Sequence, residues 1–420
     1  MRTENTLRRS TRRVLARRAD RRADQSSTAA CCGAAARSRR EAGDLFARVL
    51  CGLAITLLLA GVTACSDDDE GGGGGGGGDS SAAASAAKER VDPLLESSTS
   101  IGIEEPLAAA PESGRKVYWL EGNIQSIAPI TQGFEEATEA AGWDLETVTY
   151  DPADPQGPAS AMQQAVQGGA DYIAVSGQTV EALGEALDDA KSAGIPVIDL
   201  YSTDEVGGDA NGIYANVGSA DYSRASYPRI SDLVISDSGG DAKVLFVNIP
   251  DFPILQIASE AAVGQFEDEC PDCEVTELDV SIQDLTSGGV ASQVVSSLQS
   301  DPSIEYVYVS IGDLASGLPD AIDGAGLGDK VKVVGHVPNP EQLQAVADGK
   351  SFAYIPLPRP FSAWQAVDAM LRLDQDMAVD PEVYGLLPIE IWTTENVPEP
   401  VEEYEGPDGY QDAFTELWGV

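Results

Sequence analysis

Two hydrophobic periodicities alternate along most of this chain. Short apolar runs such as 116–120 and 172–175 have no polar face, which is typical of strands buried on both sides. Segments such as 130–141 and 180–193 instead place apolar residues three and four positions apart and predict amphipathic helices. The alternation indicates an α/β protein.

The predicted elements form two successive sets with the same order. The first set has strands at 116–120, 145–150, 172–175, 195–200 and 213–215 and helices at 130–141, 159–167 and 180–193. The second set has helices at 222–235, 255–268, 288–300, 314–324 and 361–373 and strands at 243–247, 274–280, 304–309, 332–335, 351–355 and 386–392. Strands that alternate with helices favour right-handed crossovers and parallel sheets. We therefore expect two Rossmann-like lobes with a ligand cleft at the carboxyl ends of their strands.

The net charge divides the chain into two unequal parts. The whole sequence carries −43, yet residues 1–64 hold 13 Lys or Arg and five Asp or Glu, a net of +8, which leaves −51 for the remainder. Such acidity disfavours nucleic-acid binding and makes a neutral or cationic ligand more favourable than an anionic one.

The basic segment ends in an apolar run at 49–61, which has the length of a signal-peptide core and is short for a membrane span. The residues 62–65, Val-Thr-Ala-Cys, resemble the lipobox of bacterial lipoproteins. An ordinary cleavage site with a chance cysteine is the alternative. We expect residues 1–64 to be a basic N-terminus and signal peptide, and Cys65 to carry a lipid that holds the protein at the outer face of the cell membrane.

Residues 65–114 contain an acidic run, eight consecutive glycines and a Ser- and Ala-rich stretch. Such residues bury little apolar surface, so the segment predicts a flexible tether. A phosphate-binding loop is disfavoured because no strand precedes the glycines and no Gly-Lys-Ser/Thr follows.

Several motifs, in their order and spacing, resemble type I periplasmic binding proteins of ABC transporters, in the ribose/galactose-type branch. They lie at 131–134, 140–143, 163–173, 190–197, 301–307 and 333–335. The resemblance implies a periplasmic-binding-protein-like fold whose chain crosses between lobes three times, near Val217, Pro358 and Pro388. It assigns 115–217 and 359–388 to the N-terminal lobe and 218–358 and 389–392 to the C-terminal lobe. Residues 393–420, beyond the resemblance, are acidic and contain prolines, and we expect this tail to pack across the hinge or behind one lobe.

The resemblance also implies capture of a small solute by hinge closure and delivery to a membrane permease, with a sugar or sugar-like compound expected. Several of the family's sugar-binding residues are replaced, however. The loop after the first strand contains Asn123, Gln125 and Ser126 in place of aromatics, and Tyr201-Ser202 replaces an Asp-Arg pair.

Other candidates follow the ends of further predicted strands. Ser176 and Gln178 are ligand candidates, although Gln178 also suits a helix cap. Asp313 is the nearest substitute for a family Asn or Asp. Phe252 lies in a Pro-rich loop where it could stack on a ligand or wedge the loop. The single histidine, His336, follows a strand; a lone histidine is more often structural, but its position keeps it a candidate.

Cys270 and Cys273 form a Cys-x-x-Cys pair between a predicted helix and strand. A four-cysteine zinc site needs a second pair, and none follows Cys65. A thioredoxin-like centre needs the first cysteine at a helix N-terminus. A structural disulfide suits an oxidising exterior best.

Enzyme motifs are weak in this sequence. No nucleophile elbow accompanies a His-Asp pair, and the glycines at 324–328 follow a helix rather than a strand. We therefore predict no catalytic residue, metal ion or cofactor. The expected protein is a monomeric, membrane-anchored binding protein that works with an ABC permease, and the alternative is a sensory module that presents its ligand to a membrane receptor.

Overall fold

Two separate sheets organise the chain in the computed structural model, which describes residues 77–123, 127–152 and 154–420. The N-terminal lobe is built on strands β1 Lys116–Gly122, β2 Asp144–Tyr150, β3 Tyr172–Ser176, β4 Val197–Leu200 and β5 Ile213–Val217. The C-terminal lobe is built on β6 Lys243–Asn248, β7 Glu274–Asp279, β8 Tyr306–Val309, β9 Lys332–His336, β10 Ala353–Ile355 and β11 Trp392–Thr393. The predicted α/β class with two parallel sheets is confirmed.

Helices cover these sheets. They are α1 Gly77–Val91, α2 Ala128–Ala141, α3 Gly157–Gln167, α4 Val180–Ser192, α5 Ala220–Ser238, α6 Pro253–Glu269, α7 Ile282–Ser287, α8 Val290–Ser300, α9 Leu318–Gly324, α10 Pro340–Ala347, α11 Arg359–Asp374, α12 Pro381–Tyr384 and α13 Tyr410–Trp418. Central strands such as β3 and β8 are buried on both faces, whereas the edge strands β2 and β7 are largely exposed. This contrast is expected when helices cover both faces of a parallel sheet.

The strand orders are β2-β1-β3-β4-β5 and β11-β10-β9-β8-β6-β7. All neighbours are parallel except β10 and β11. Parallel order brings the carboxyl ends of the strands to one edge of each sheet, where ligand sites of open α/β sheets form.

The chain passes between the lobes after β5, after β10 and before β11. After β10 it returns to the N-terminal lobe as α11, which packs closely on α2. Gly133 permits this approach, because a Cβ there would lie 2.5 Å from the Pro360 carbonyl oxygen. Glycine is therefore required at this helix crossing.

The structure differs from the predicted tether wherever the segment 65–114 is described. Residues 77–91 form α1, which packs on α5 of the C-terminal lobe with Ala87 and Val91 buried. Ile101 and Ile103 are then buried in the core of the N-terminal lobe. The alanine-rich stretch is a good helix former, and its small side chains allow close packing on α5.

The tail after Thr393 contacts both lobes, where the sequence left two alternatives open. Tyr404 packs edge-on against Trp392 of the C-terminal lobe, with ring centroids 5.4 Å apart. Helix α13 then stacks Trp418 on Trp364 of α11 in the N-terminal lobe, with centroids 5.3 Å apart. The segments 77–103 and 394–418 therefore both run across the hinge as additional connections between the lobes.

The pair Cys270–Cys273 forms a disulfide in the turn between α6 and β7. Cys270 is buried, and its Sγ lies 3.3 Å from the Gly240 carbonyl oxygen. The bridge thus closes a turn beside the end of α5.

Candidate functional site

A cavity of about 550 Å³ lies where the two lobes meet, and we call it the interlobe cavity. Both lobes and the tail line it, through Ala128, Pro129, Asp313, Asn339, Pro340, Glu341, Arg359 and Glu403. These residues follow β1, β8, β9 and β10, so the cavity lies at the carboxyl ends of strands from both sheets. Its size and place suit a small-molecule ligand.

The C-terminal lobe contributes a hydrogen-bonded set of polar side chains to this cavity. The Asn339 side chain caps α10 by accepting from the Glu341 amide at 3.0 Å, and its Nδ2 donates to Asp313 Oδ1 at 3.3 Å. Glu341 Oε1 in turn accepts from the Gly317 amide at 3.0 Å. The cap holds these groups in place at the helix start, where they can offer acceptors to a bound solute.

Arg359 is the first residue of α11 and is 7% exposed. Its guanidinium donates to Glu403 Oε1 of the tail at 2.5 Å. A buried guanidinium requires such a partner, since an uncompensated charge there is costly. The tail therefore supplies the counter-charge for the start of α11.

Tyr201 lies just after β4 and connects to this arrangement through a hydroxyl chain. Its hydroxyl donates to Ser362 Oγ at 2.6 Å, and Ser362 Oγ donates to the Arg359 carbonyl oxygen at 2.6 Å. Burial raises the pKa of Tyr201 to about 12. Its backbone is left-handed, with φ of 58°, and a Cβ at Gly218 would lie 3.0 Å from its ring. Strained backbone of this kind is frequent at ligand sites.

Ser176, Gln178 and Ser202 are brought together, but they hydrogen-bond mainly to their own loops. Gln178 Nε2 donates to the Ser176 carbonyl and to the Tyr150 hydroxyl, both at 3.2 Å. Ser202 is 3% exposed, and its hydroxyl donates to the Gln178 carbonyl at 3.1 Å. The alternative role of Gln178 as the cap of α4 is filled by Thr179, whose side chain accepts from the Ala182 amide.

A buried carboxyl lies beneath this loop cluster. Asp199 on β4 is 1% exposed, and burial raises its pKa well above the ordinary value. Its Oδ1 accepts from the Leu200 amide at 2.9 Å, and its Oδ2 has no hydrogen-bond partner among the described residues. Desolvation of this kind favours the neutral form of the carboxyl.

His336 lies in the core of the C-terminal lobe and is 1% exposed. Its ring stacks on Tyr227 of α5 with centroids 3.8 Å apart, and burial lowers its pKa well below the ordinary value. This burial favours the structural role over the ligand role for the lone histidine. The residue at the strand end turns inward, and Asn339, three positions later, faces the cavity.

The remaining candidates lie apart from the cavity lining. Phe252 precedes α6 with 42% of its surface exposed, and Asn123 is exposed at the end of β1. Gln125, Ser126 and Cys65 lie outside the described residues. Of the predicted ligand residues that the structure describes, Asp313 lines the interlobe cavity and Tyr201 reaches its hinge side through Ser362.

Sequence reasoning missed Asn339, Glu341, Arg359 and Glu403. The Asn-Pro-Glu start of α10 and the Arg-Pro start of α11 are recognisable helix-start signals directly after strands. Glu403 carries no comparable signal, since one glutamate in an acidic tail resembles the next.

A second cavity of about 380 Å³ is lined by residues 203–206, Asn216, the start of α5 and Pro381. The start of α5 belongs to the C-terminal lobe, but the strand ends at this cavity are those of the N-terminal sheet alone, whereas strand ends of both sheets meet at the interlobe cavity. The interlobe cavity is therefore the better candidate for capture between lobes. Within the described part of the chain, no group of three or more His, Cys, Asp or Glu side chains is placed to hold a metal ion. None of the described helices combines the length and apolar character of a membrane span.

Residues 119–375 match the family model described as a periplasmic binding protein domain. The chain belongs to this family. The match runs from within β1 to the end of α11 and includes the first two passages between the lobes; the third passage and β11 follow it. No curated protein matches the sequence.

Solved structures with the same fold include sugar-binding proteins. A periplasmic solute-binding protein of an ABC transporter from Actinobacillus succinogenes 130z, with bound D-allose, is 19% identical with a TM-score of 0.58, covering 67% of this chain and 98% of that one. GanP, a glucose-galactose binding protein from Geobacillus stearothermophilus, is 15% identical with a TM-score of 0.57, covering 68% and 100%.

A third structure is the fructose-binding periplasmic domain of a hybrid two-component system. It is 14% identical with a TM-score of 0.56, and the alignment covers 67% of this chain and 91% of that one. At these identities the likeness establishes the fold of this protein.

Proposed function

We propose that this chain is the extracytoplasmic substrate-binding protein of an ABC transporter and that it captures a small polar solute, a sugar or sugar-like compound, by closure of the lobes. The observation that carries the proposal is the interlobe cavity, which presents polar groups of both lobes at the carboxyl ends of their strands. The sugar-binding structures with this fold support the solute class.

The proposed ligand contacts are Asp313, Asn339 and Arg359, with Tyr201 supporting the hinge side. The loop with Asn123, Gln125 and Ser126 precedes Ala128 and Pro129 of the cavity lining, and we assign it a role in contacting the solute from the N-terminal lobe. Carboxylate, amide and guanidinium groups suit the hydroxyl groups of a sugar, because they can accept and donate several hydrogen bonds at once.

The cavity lining also supports a preference for neutral or cationic solutes. Asp313, Glu341 and Glu403 are acidic, and Arg359 is paired with Glu403. An anionic solute would enter a cavity whose net charge is already negative, and burial would strengthen the repulsion.

Membrane anchoring through a lipid on Cys65, after removal of residues 1–64 as a signal peptide, completes the proposal. Lipidation would be tested by metabolic labelling with a fatty acid. Cys65→Ala should abolish the label and release the protein from membranes, while loss of neither would contradict anchoring at this residue.

A ligand-sensing role is the second candidate, favoured by the fructose-binding domain of a two-component system that shares this fold. A permease and an ATPase encoded beside this gene would support uptake, and a membrane histidine kinase would support sensing.

The solute class is tested by thermal shift over sugars, polyols, nucleosides and amino acids, followed by calorimetry on each stabilising compound. We expect a neutral sugar or amino sugar to raise the melting temperature, and Asp313→Asn to weaken its binding about tenfold, which corresponds to one charge-assisted hydrogen bond. Asp329→Asn is the matched control, an exposed carboxylate of the same lobe outside the cavity. Equal affinities of the two variants would contradict the assigned site, and stabilisation by another class alone would overturn the sugar assignment.

A further inference from the structure

The tail places one carboxylate in the interlobe cavity. Glu403 lines the cavity and pairs with Arg359, while its neighbours Glu402 and Glu405 are exposed. The acidic tail thus presents three glutamates within four residues, and one of them reaches the buried guanidinium.

Contacts on both sides of Glu403 hold it in this position. The Tyr404 side chain is 5% exposed, and its hydroxyl donates to Glu390 Oε1 at 2.9 Å. The Glu405 carbonyl accepts from the Phe361 amide of α11 at 3.0 Å. The backbone is therefore attached to both lobes immediately after Glu403, and the carboxylate position follows from packing as well as from charge attraction.

The pairing changes the charge that a solute meets. Among the described residues that line the interlobe cavity, Arg359 is the one with a positive charge, and Asp313 and Glu341 remain acidic beside it. A free buried guanidinium binds carboxylates strongly and in a defined geometry. With Glu403 paired to Nη1, the positive charge is compensated within the chain, and the other N–H groups can still donate to a neutral hydroxyl.

We propose that Glu403 determines the charge specificity of the solute site by masking Arg359, so that the cavity accepts neutral sugars and rejects sugars that carry a carboxylate. The inference rests on the proposed function, because it assumes that the interlobe cavity is the solute site.

The test compares hexoses with their matched hexuronates, namely glucose with glucuronate and galactose with galacturonate, by calorimetry on the full mature protein. In the wild-type protein we expect measurable binding of a neutral hexose and none of its uronate. In Glu403→Gln, the uronate should gain at least about tenfold in affinity, as expected for one new charge-assisted hydrogen bond. The gain should decline as salt is added, because it is electrostatic.

Two further variants keep the result interpretable. Glu402→Gln removes the same charge from the adjacent exposed position and should behave as wild type. The double variant Arg359→Gln with Glu403→Gln restores a neutral pair and should lose the gained uronate binding, which a general loosening of the tail would not reverse.

Unchanged uronate affinity in Glu403→Gln, with hexose binding intact, would overturn this inference alone. Equal gains in Glu402→Gln and Glu403→Gln would also overturn it, because the effect would then come from net charge. Absence of binding by every sugar to every variant would instead overturn the proposed function, and this inference with it.

Discussion

The two lobes follow the same plan, and in each a buried carboxylate binds a segment that lies outside the family-like core. The surroundings of the two carboxylates differ. In the N-terminal lobe, Asp368 of α11 accepts hydrogen bonds from Arg372 Nε at 2.7 Å, from Trp418 Nε1 at 2.8 Å and from the Tyr384 hydroxyl. All four residues are buried, and they belong to α11, α12 and α13.

In the C-terminal lobe, Asp232 of α5 has the corresponding role for the other end of the chain. It accepts from Arg90 of α1 at 2.7 Å, from Arg229 at 2.8 Å and from Gln265 at 2.7 Å. The side chains of Arg90 and Arg229 are 30% and 27% exposed. Both carboxylates are thus fully buried, but the arginine partners of Asp232 are partly open to water, whereas Arg372 is enclosed.

The difference has a physical consequence for how the two ends detach. The C-terminal end adds aromatic burial to its hydrogen bonds, since Phe414 and Trp418 are almost fully buried. The N-terminal end depends more on its ionic contacts and on small side chains such as Ala87. We therefore expect α13 to unfold with its lobe and α1 to detach locally first.

The largest effect should follow from Asp368→Ala. It leaves the Arg372 guanidinium buried without its carboxylate partner, which destabilises a protein by about 3–5 kcal/mol. Urea denaturation of the full chain measures this loss. Glu416→Ala on the exposed side of α13 is the control and should leave the free energy of unfolding nearly unchanged. A loss no larger than that of the control would contradict the enclosed character of this carboxylate.

Arg90→Ala should lower the free energy of local detachment of α1 by about 1.5 kcal/mol. This effect is smaller than that of Asp368→Ala because Asp232 keeps its hydrogen bonds from Arg229 and Gln265. We expect it chiefly as faster proteolytic cleavage within 77–95, with little change in global unfolding. Arg224→Ala removes an exposed ion pair with Asp221 and serves as the control. If global and local stability fell together, α1 would be as fully integrated as α13 and the comparison would fail.

Burial shifts the pKa of a titrating group in opposite directions in the two lobes, upward for Asp199 and downward for His336. Asp199→Asn tests the shift in the N-terminal lobe. Burial raises the Asp199 pKa, with a contribution from nearby Asp204, so the folded state retains a proton that the unfolded state loses above the ordinary carboxyl value of 3.8. This contribution to stability is present in acid and is lost as the pH rises through the folded-state pKa. Asp199→Asn should therefore gain in melting temperature relative to wild type between pH 4 and pH 7. A pH-independent difference would contradict the raised pKa of this carboxyl.

His336→Phe tests the downward pKa shift in the C-terminal lobe. Burial lowers the His336 pKa, so below the ordinary value of 6.5 the unfolded state binds a proton that the folded state excludes. Stability should therefore fall as the pH drops below 6.5. The variant keeps an aromatic ring against Tyr227 and should lose this dependence, which melting curves from pH 7 to pH 5 would measure. Parallel curves for variant and wild type would contradict the assignment.

Much of the fold follows from local pattern. The predicted strand at 172–175 and helix at 180–193 correspond to Tyr172–Ser176 and Val180–Ser192. The predictions fail at positions where tertiary contacts determine the secondary structure. The predicted strand at 386–392 is reduced to Trp392–Thr393, and the predicted helix at 314–324 is interrupted at Gly317, whose φ is 65°.

The candidate site could be predicted less fully than the fold. Parallel strands bring their carboxyl ends together, which directs attention to residues such as Tyr201 and Asp313. Alternation along a strand does not continue into the following loop, so the sequence could not show that Ser202 turns inward. His336 ends β9, a central strand in which residues on both faces are buried, so alternation does not reveal which way its side chain points.

By itself the sequence determined the periodicity of strands and helices, the two-lobe α/β plan and the strand ends at which a ligand site would form, because these depend on residues close together in the chain. Tertiary structure alone decided that the segment before Arg115 and the tail after Thr393 cross the hinge, and that Glu403 meets Arg359 across 44 positions. Such pairings arise from packing between distant segments, where one alanine-rich or acidic stretch offers many equivalent residues and only the assembled core selects which of them makes contact.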